Sequence, residues 1–299
     1  GNIEEDLARR DFSINAMAVP LHLLGNAQLL DPFDGESDLH SRLIRVLHDK
    51  SFVDDATRIM RAVRYEQRLG FRMEEGTENL LRRDLPMLDT ISGDRLRKEL
   101  LLWFAEENYV ETLVRADRLG VMAAIVPSLA GSSQLVESTV SDLERRCVEE
   151  QVLLGLLTYS FDSSDGEKII GRLSMPPRWM TVIRDTIELR KKLPLLSDAV
   201  PSLSYLYESL TTLTTSAVQV CALVSTSENV RRNLTLFLDK LRYIKPSLGG
   251  KDLIEIGVPQ GPAIGEMLIK LRSGRLEGTV TSRSEEEAIV KNWLAIQQT

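Results

Sequence analysis

The sequence predicts a mainly α-helical protein in which a short α/β section precedes a helical array. Three observations carry that expectation. Aromatic residues make up 5% of the chain, low for an all-β fold and ordinary for a helical one. Runs with strand character are confined to residues 1–50 and are too few to close a sheet among themselves. From Ser51 onward apolar residues recur at helical spacing, and Gly and Pro punctuate the segments. The 299 residues suffice for two domains or one elongated array, and 43% hydrophobic content suffices for sizeable cores. No period recurs cleanly, which argues against a solenoid.

In chain order, residues 1–19 begin acidic, pass through Arg9-Arg10-Asp11 and end in an apolar run, with a strand-to-helix transition expected over 12–19. Residues 28–31 and 43–47 are short strand candidates, separated by a turn at Asp34-Gly35. Residues 51–71 read as one helix. Further helices are expected over 78–83 and 94–106, the latter capped by Ser92-Gly93-Asp94 and striped by Leu96, Leu100, Leu101 and Phe104. The next spans are 110–119, stopped by Gly120, then 136–155, 167–173 and 179–193, the last after the break at Pro176-Pro177. Residues 203–214, 216–225 and 229–243 complete that run. A helix, tight turn and helix follow over 251–256 and 263–271, and residues 285–294 form a last helix. The glycine-rich breaks around Gly250 and Gly261 read either as a compact helical cap or as backbone amides that meet an RNA phosphate.

Composition excludes several classes. A net charge of −7 rules out a generic basic nucleic-acid binder, so any anion site must be a local patch. Cys147 and Cys221 lack metal-ligand spacing and read as reduced, buried thiols. His22, His40 and His48 are scattered without ligand spacing, and Trp103, Trp179 and Trp293 sit in helical stripes as packing residues. No apolar run approaches the roughly 20 residues of a membrane span, and no signal peptide is visible; a cytoplasmic protein with no membrane partner is expected. The chain starts with Gly and its first residues resemble the middle of a domain, so a piece of a longer protein is expected.

The densest local charge lies in residues 51–71. Arg58, Arg61, Arg64, Arg68 and Arg72 recur every three or four residues, and at about 100° per residue they share an arc of roughly 120°. Asp54 and Asp55 stand at the helix start, where carboxylates face the positive end of its dipole. Such a ridge is either a solvated face or an anion site. The arginines lack acidic partners four residues on, and a guanidinium fork suits phosphate and base edges, which favours a nucleotide or RNA. Asp55 and Arg58, three apart, offer an acceptor beside a donor fork. That pair matches the amine-plus-acceptor edge of cytosine or adenine and mismatches guanine and uracil.

Five strings occur in order: RRDFSINA from Arg9, DPFDG from Asp31, DDATR from Asp54, ISGDRLRKEL from Ile91 and KDLIEIGVPQGPAIG from Lys251. Together they resemble the class II tRNA nucleotidyltransferases, the CCA-adding enzymes, and their relatives the bacterial poly(A) polymerases. The resemblance implies a mainly α fold: a helical neck, body and tail array behind a small α/β remnant of the nucleotidyltransferase head domain. It implies boundaries at 1–50 (head remnant), 51–120 (neck), 121–245 (body) and 246–299 (RNA-binding tail). By the same resemblance Arg9, Arg10 and Asp11 lie along the sugar and phosphates of an incoming nucleotide. Asp55 and Arg58 read its base, and Arg61 and Arg64 lie near its triphosphate. Residues 31–35 link head and neck, and Asp94, Arg95 and Glu99 brace the reading helix. Ser13, Asp54 and Ala56 stand where the family more often has Thr, Glu and Pro.

The implied activity is transfer from CTP or ATP to the 3′ end of tRNA, with Mg²⁺ as cofactor. Adenylate addition to RNA 3′ ends and a non-catalytic RNA-binding module are the alternatives. One departure is large. The family's metal-binding Asp-x-Asp pair after a Gly-rich helix start has no counterpart here, so the chain by itself is expected not to catalyse. Asp11 reads either as a member of a metal site or as a structural partner of Arg9 or Arg10. Oligomeric state is not legible.

Overall fold

The computed structural model describes residues 2–20, 28–140, 148–198 and 201–297. Cys147, His22 and the middle of the helix expected over 136–155 lie outside them. The chain divides into two compact units, Gly1–Ile187 and Glu188–Thr299.

The first unit holds, in chain order, α1 (Ile3–Leu7), α2 (Gly35–Ser41), β1 (Leu43–Ile44), α3 (Ser51–Asp54), α4 (Thr57–Leu69), β2 (Arg72–Met73), α5 (Glu75–Asp84), α6 (Gly93–Phe104), α7 (Tyr109–Leu119), α8 (Val121–Ile125), α9 (Ser132–Val140), α10 (Glu150–Thr158), α11 (Ser163–Arg172) and most of α12 (Pro177–Lys192). The mainly α expectation holds. The strand content among the described residues is one two-stranded parallel sheet and two isolated bridges. In the sheet Leu43 pairs with Arg72 and Ile44 with Met73, so the expected 43–47 strand is real but short. Phe12 bridges Val46, and Ala18 bridges Leu30, which is all that remains of the expected strand at 28–31. The 12–19 transition is a single 3₁₀ turn, Ser13–Asn15.

The turn at Asp34-Gly35 starts α2. Asp31 closes it, accepting from the Gly35 and Glu36 amides at 2.7 and 2.9 Å. Only glycine fits position 35, because a Cβ there would stand 2.3 Å from the Ser13 carbonyl oxygen.

The helix expected over 51–71 is two helices. Asp55 is extended (φ −148°, ψ 99°), and its carboxylate takes the Thr57 amide and hydroxyl at 3.0 and 2.7 Å. A short acid that bonds the backbone two residues on competes with helix continuation, so the chain stops at Asp54 and restarts at Thr57. At the far end Gly70 adopts the left-handed conformation (φ 63°) and α4 ends at Leu69. Arg72 therefore leaves the arginine stripe and enters β2.

The apolar face of α4, with Ile59, Met60 and Val63 fully buried, packs on α6 and α7. Leu96, Leu100 and Trp103 of α6 meet it from the other side. Burying such side chains contributes about 1.5–3 kcal/mol each relative to exposure. The Trp103 indole also donates to the Met60 carbonyl at 3.0 Å, fixing α4 against α6 along its axis.

The second unit holds α13 (Leu203–Leu210), α14 (Thr215–Val224), α15 (Glu228–Asp239), α16 (Gly250–Ile256), α17 (Pro262–Leu276) and α18 (Arg283–Gln297). Its C-terminal helices enclose Leu248, Leu253, Val258, Met267, Leu271 and Val290, with Trp293 packed alongside. Glu286 is fully buried there. It accepts from the Ser247 and Leu248 amides at 3.0 and 2.8 Å and from the Arg275 guanidinium at 2.6 Å. Cys221 is buried, and desolvation pushes its thiol up to about 12, which leaves it protonated and unreactive.

Candidate functional site

The site forms where α3 gives way to α4, with Arg9–Asp11 on one side and α6 on the other. Asp11 is its centre. One carboxylate oxygen accepts from Arg58 Nε at 3.2 Å and the other from Arg61 Nη1 at 2.7 Å. The sequence offered Arg9 or Arg10 as its partner; the structure gives it Arg58 and Arg61 instead. Arg10 pairs with Asp6, one turn back, at 2.7 Å, and the Arg9 carbonyl accepts from Arg58 at 2.7 Å.

Arg58 is only 7% exposed. Besides Asp11 it donates to the Ser51 carbonyl at 3.2 Å and the Arg9 carbonyl at 2.7 Å. Of the five N–H groups a guanidinium carries, these bonds occupy three. Asp55 and Arg58 share no bond with each other, and Asp55 lies ahead of the helix rather than on one of its faces. Asp55 is held instead by Thr57 and by Arg95, whose Nη2 lies 2.9 Å from both carboxylate oxygens. Burial works against its charge, but the Thr57 hydroxyl and amide, then Arg95 and Arg61, outweigh that and hold Asp55 below the usual carboxylate range.

Arg61 and Arg64 complete the ridge, and neither is a solvated charge. Arg61 Nε donates to Glu99 at 3.1 Å, and Arg64 reaches Glu106 at 3.3 Å and Glu99 at 3.6 Å. Burial alone would lower the Arg61 pKa; its bonds to Asp11 and Glu99 raise it instead. Arg64 lies over the Tyr65 ring at 5.0 Å. The missing i+4 acids are supplied across the fold, by Asp11 from 50 residues upstream, by Glu99 of α6 and by Glu106 just beyond it. Glu99 lies within α6, whereas Glu106 stands just past its C-cap Ala105, because the helix expected to run to 106 ends at Phe104; the two acids reach the arginine stripe from the helix and from the turn that follows it.

The motif neighbours sort by geometry. The Ser13 hydroxyl is buried and donates to Asp38 at 2.6 Å, so it braces α2 rather than facing the ridge. Arg95 touches Asp55 directly, while Asp94 pairs with Arg97 at 2.6 Å. Among the described residues no group of three His, Cys, Asp or Glu side chains could hold a metal ion. Asp11, the carboxylate nearest the ridge, has both oxygens engaged by arginine. The described residues do not fit a magnesium site.

Known proteins match this arrangement. The Poly A polymerase head domain family matches residues 1–45, and the family described as the probable RNA and SrmB-binding site of polymerase A matches residues 70–132. The chain is 30% identical over 288 residues to an A-adding tRNA nucleotidyltransferase of Halalkalibacterium halodurans, covering 95% of this chain and 67% of that protein. It is 32% identical over 312 residues to the A-adding enzyme of Geobacter sulfurreducens, covering 96% of this chain but 35% of that longer protein. Among solved structures, the Thermotoga maritima CCA-adding enzyme complexed with tRNA superposes with a TM-score of 0.76 at 30% identity, over 98% of this chain and 74% of that one. CCA-adding enzyme complexes with ATP and with CTP give 0.77 and 0.76 at 30% and 29% identity, each over 99% of this chain and 73% of theirs.

A polymerase-type head segment followed by a segment that matches a second polymerase A family defines the class: the nucleotidyltransferases. Within it, the chain belongs to the tRNA nucleotidyltransferase and poly(A) polymerase family.

Proposed function

We propose that the protein serves template-independent nucleotidyl transfer from CTP or ATP to the 3′ end of tRNA, and that this chain supplies the nucleotide-reading part. The observation that carries the reading is the hydrogen-bonded lattice of Asp55, Arg95, Arg58, Asp11 and Arg61 at the start of α4, with Arg58 buried and the others partly open to solvent. Asp55 is charged and immobilised, and its Oδ2 has only Arg95 as a partner, so it can accept from an exocyclic amine. Arg58 keeps two N–H groups for the adjacent ring acceptor. A well-placed bidentate pair discriminates bases by about 1–3 kcal/mol. Following the resemblance, Arg9, Arg10 and Asp11 are assigned to the sugar and phosphates and Arg61 and Arg64 to the triphosphate, with Arg10 exchanging its exposed bond to Asp6 for the ligand. The tRNA and nucleotide complexes formed by the similar CCA-adding enzymes support the same partners here.

The chain's own residues bind, orient and neutralise. Adenylation of other RNAs uses the same base-reading pair and is the second reading, supported by the head-domain match. Because Asp11 is committed to arginine, we assign the chain nucleotide selection and no transfer of its own. The division into four domains expected from the resemblance is proposed on the same footing.

Calorimetric titration of the 299-residue chain with CTP, ATP, GTP and UTP tests the reading. CTP and ATP are expected to bind at least tenfold more tightly than the others, and Asp55→Ala is expected to erase that preference while keeping most triphosphate affinity. Equal binding of all four by the unsubstituted chain refutes base reading.

A further inference from the structure

We propose that the second unit carries a separate ligand site between α13 and α17, for a small organic oxyanion: a carboxylate or phosphate monoester on a flat apolar body. A cavity of about 500 Å³ opens there, lined by Tyr207, Glu208, Thr211, Ile269, Arg272 and Leu276. Its size suits a small molecule. The Tyr207 ring forms a rigid wall, 8% exposed, with Phe237 against it at 6.2 Å between centroids. Arg272 lies over that ring at 5.1 Å and donates from Nη1 to its hydroxyl at 2.9 Å.

Arg272 is the anomaly. Its Nε is buried and has no hydrogen-bond partner. No carboxylate lies within ion-pair distance among the described residues, although Arg58, Arg61, Arg64, Arg115 and Arg275 each have one. This occurs in a chain of net charge −7, where acids are plentiful. Arg272 is itself only partly buried, and its Nη groups, not the enclosed Nε, are the donors that an oxyanion in the cavity would meet with a charge-assisted bond. Tyr207, Leu276 and the 56%-exposed Ile269 give the apolar surface on which the body of such a ligand rests. Glu208 also lines the cavity without pairing Arg272, which disfavours polyanions such as a triphosphate or a run of RNA backbone. The site is therefore distinct in chemistry from the arginine ridge of α4.

Ligand-detected NMR and calorimetry on the full chain test it, using phenylacetate and phenyl phosphate as probes and 2-phenylethanol as the neutral control. At least one oxyanion is expected to bind with Kd below about 1 mM and the alcohol at least tenfold more weakly. Comparing phenylacetate with phenyl phosphate tells which oxyanion the site takes. Arg272→Met is expected to weaken binding tenfold or more while leaving Tm unchanged or raised, since an uncompensated cation is replaced by an apolar stem. Ile269→Trp, at an exposed rim position that the fold does not need, is expected to block the cavity. Absence of binding by both oxyanions, equal binding of the alcohol, or binding indifferent to both substitutions overturns the proposal. A lowered Tm for Arg272→Met with binding intact also overturns it, by marking Arg272 as a packing residue.

Discussion

Asp11→Asn is the substitution that weighs most on the lattice. Asp11 accepts two bonds from guanidinium groups, one from Arg58 at 3.2 Å and one from Arg61 at 2.7 Å. A hydrogen bond to a charged group contributes about 1.5–3 kcal/mol. Asparagine keeps one acceptor oxygen, loses the charge, and turns an amine toward a cation. Arg61 would retain Glu99, and Arg58 would retain the Ser51 and Arg9 carbonyls, so the full cost of an orphaned buried ion is not reached. The expected loss is therefore about 2–4 kcal/mol for the first unit. Urea unfolding followed by tryptophan fluorescence measures it, in a Trp293→Phe background so that Trp103 and Trp179 report the first unit alone. A double-mutant cycle with Arg61→Gln should return a coupling of about 1 kcal/mol or more. CTP affinity should fall in parallel, because Arg58 loses its orientation. A loss under about 0.5 kcal/mol with no coupling would falsify the role assigned to Asp11.

Two further outcomes follow from buried groups elsewhere. Trp103→Phe keeps an aromatic ring in the core but removes the donor to the Met60 carbonyl, so it should cost about 1–3 kcal/mol by the same unfolding assay and reduce the CTP-over-UTP preference; an unchanged preference would show that α4 is registered by packing alone. Burial raises the Glu286 pKa, but the Ser247 and Leu248 amides and Arg275 outweigh it and hold the carboxyl below its ordinary range. A depressed folded-state pKa gives stability that is present above the unfolded value of about 4.3 and lost as pH falls through the lower folded value. The stability gap between the unsubstituted chain and Glu286→Gln should thus be wide at pH 7 and shrink progressively as pH falls below about 4.3, and a gap that does not change with pH would show that the carboxylate's charge is immaterial.

How much of this was legible depended on whether the determinant was local. The helix stop at Gly120 could be read because a left-handed terminal residue is a one-residue property, and Gly120 adopts it, as Gly70 and Gly257 do at the ends of α4 and α16. The helical periods from Ser51 onward were equally local. The break at Asp55 was missed because capping by a short acid competes with the arginine periodicity that follows it, and periodicity dominates a sequence reading. The i+4 rule suggested that the arginines lacked acids, whereas their acids come from Asp11, Glu99 and Glu106, at separations of about 40 to 50 residues. The site residues were named from their motifs, but their contacts are tertiary. Arg95 could be placed near the reading helix by resemblance; that it grips Asp55 itself could only be seen once α6 was laid against α4.

The parallel pairing of β1 with β2 has a mechanical consequence. The chain enters α4 under the grip of Arg58 on residues 9 and 11, and leaves it through a strand hydrogen-bonded to residues 42–44, where Arg72 and Glu74 amides donate to the Arg42 and Ile44 carbonyls at 3.0 Å. The Met73 amide is held by Glu66 of α4 itself at 2.8 Å. The helix is thus a strut fastened at both ends to the same preceding stretch of chain. It cannot tilt or rotate to suit one base and then another without dragging residues 9–46 with it. On the proposed base reading, a switch between cytosine and adenine comes from side-chain adjustment within the lattice or from movement of the first-unit segments as a single rigid piece, with α4 as a fixed gauge.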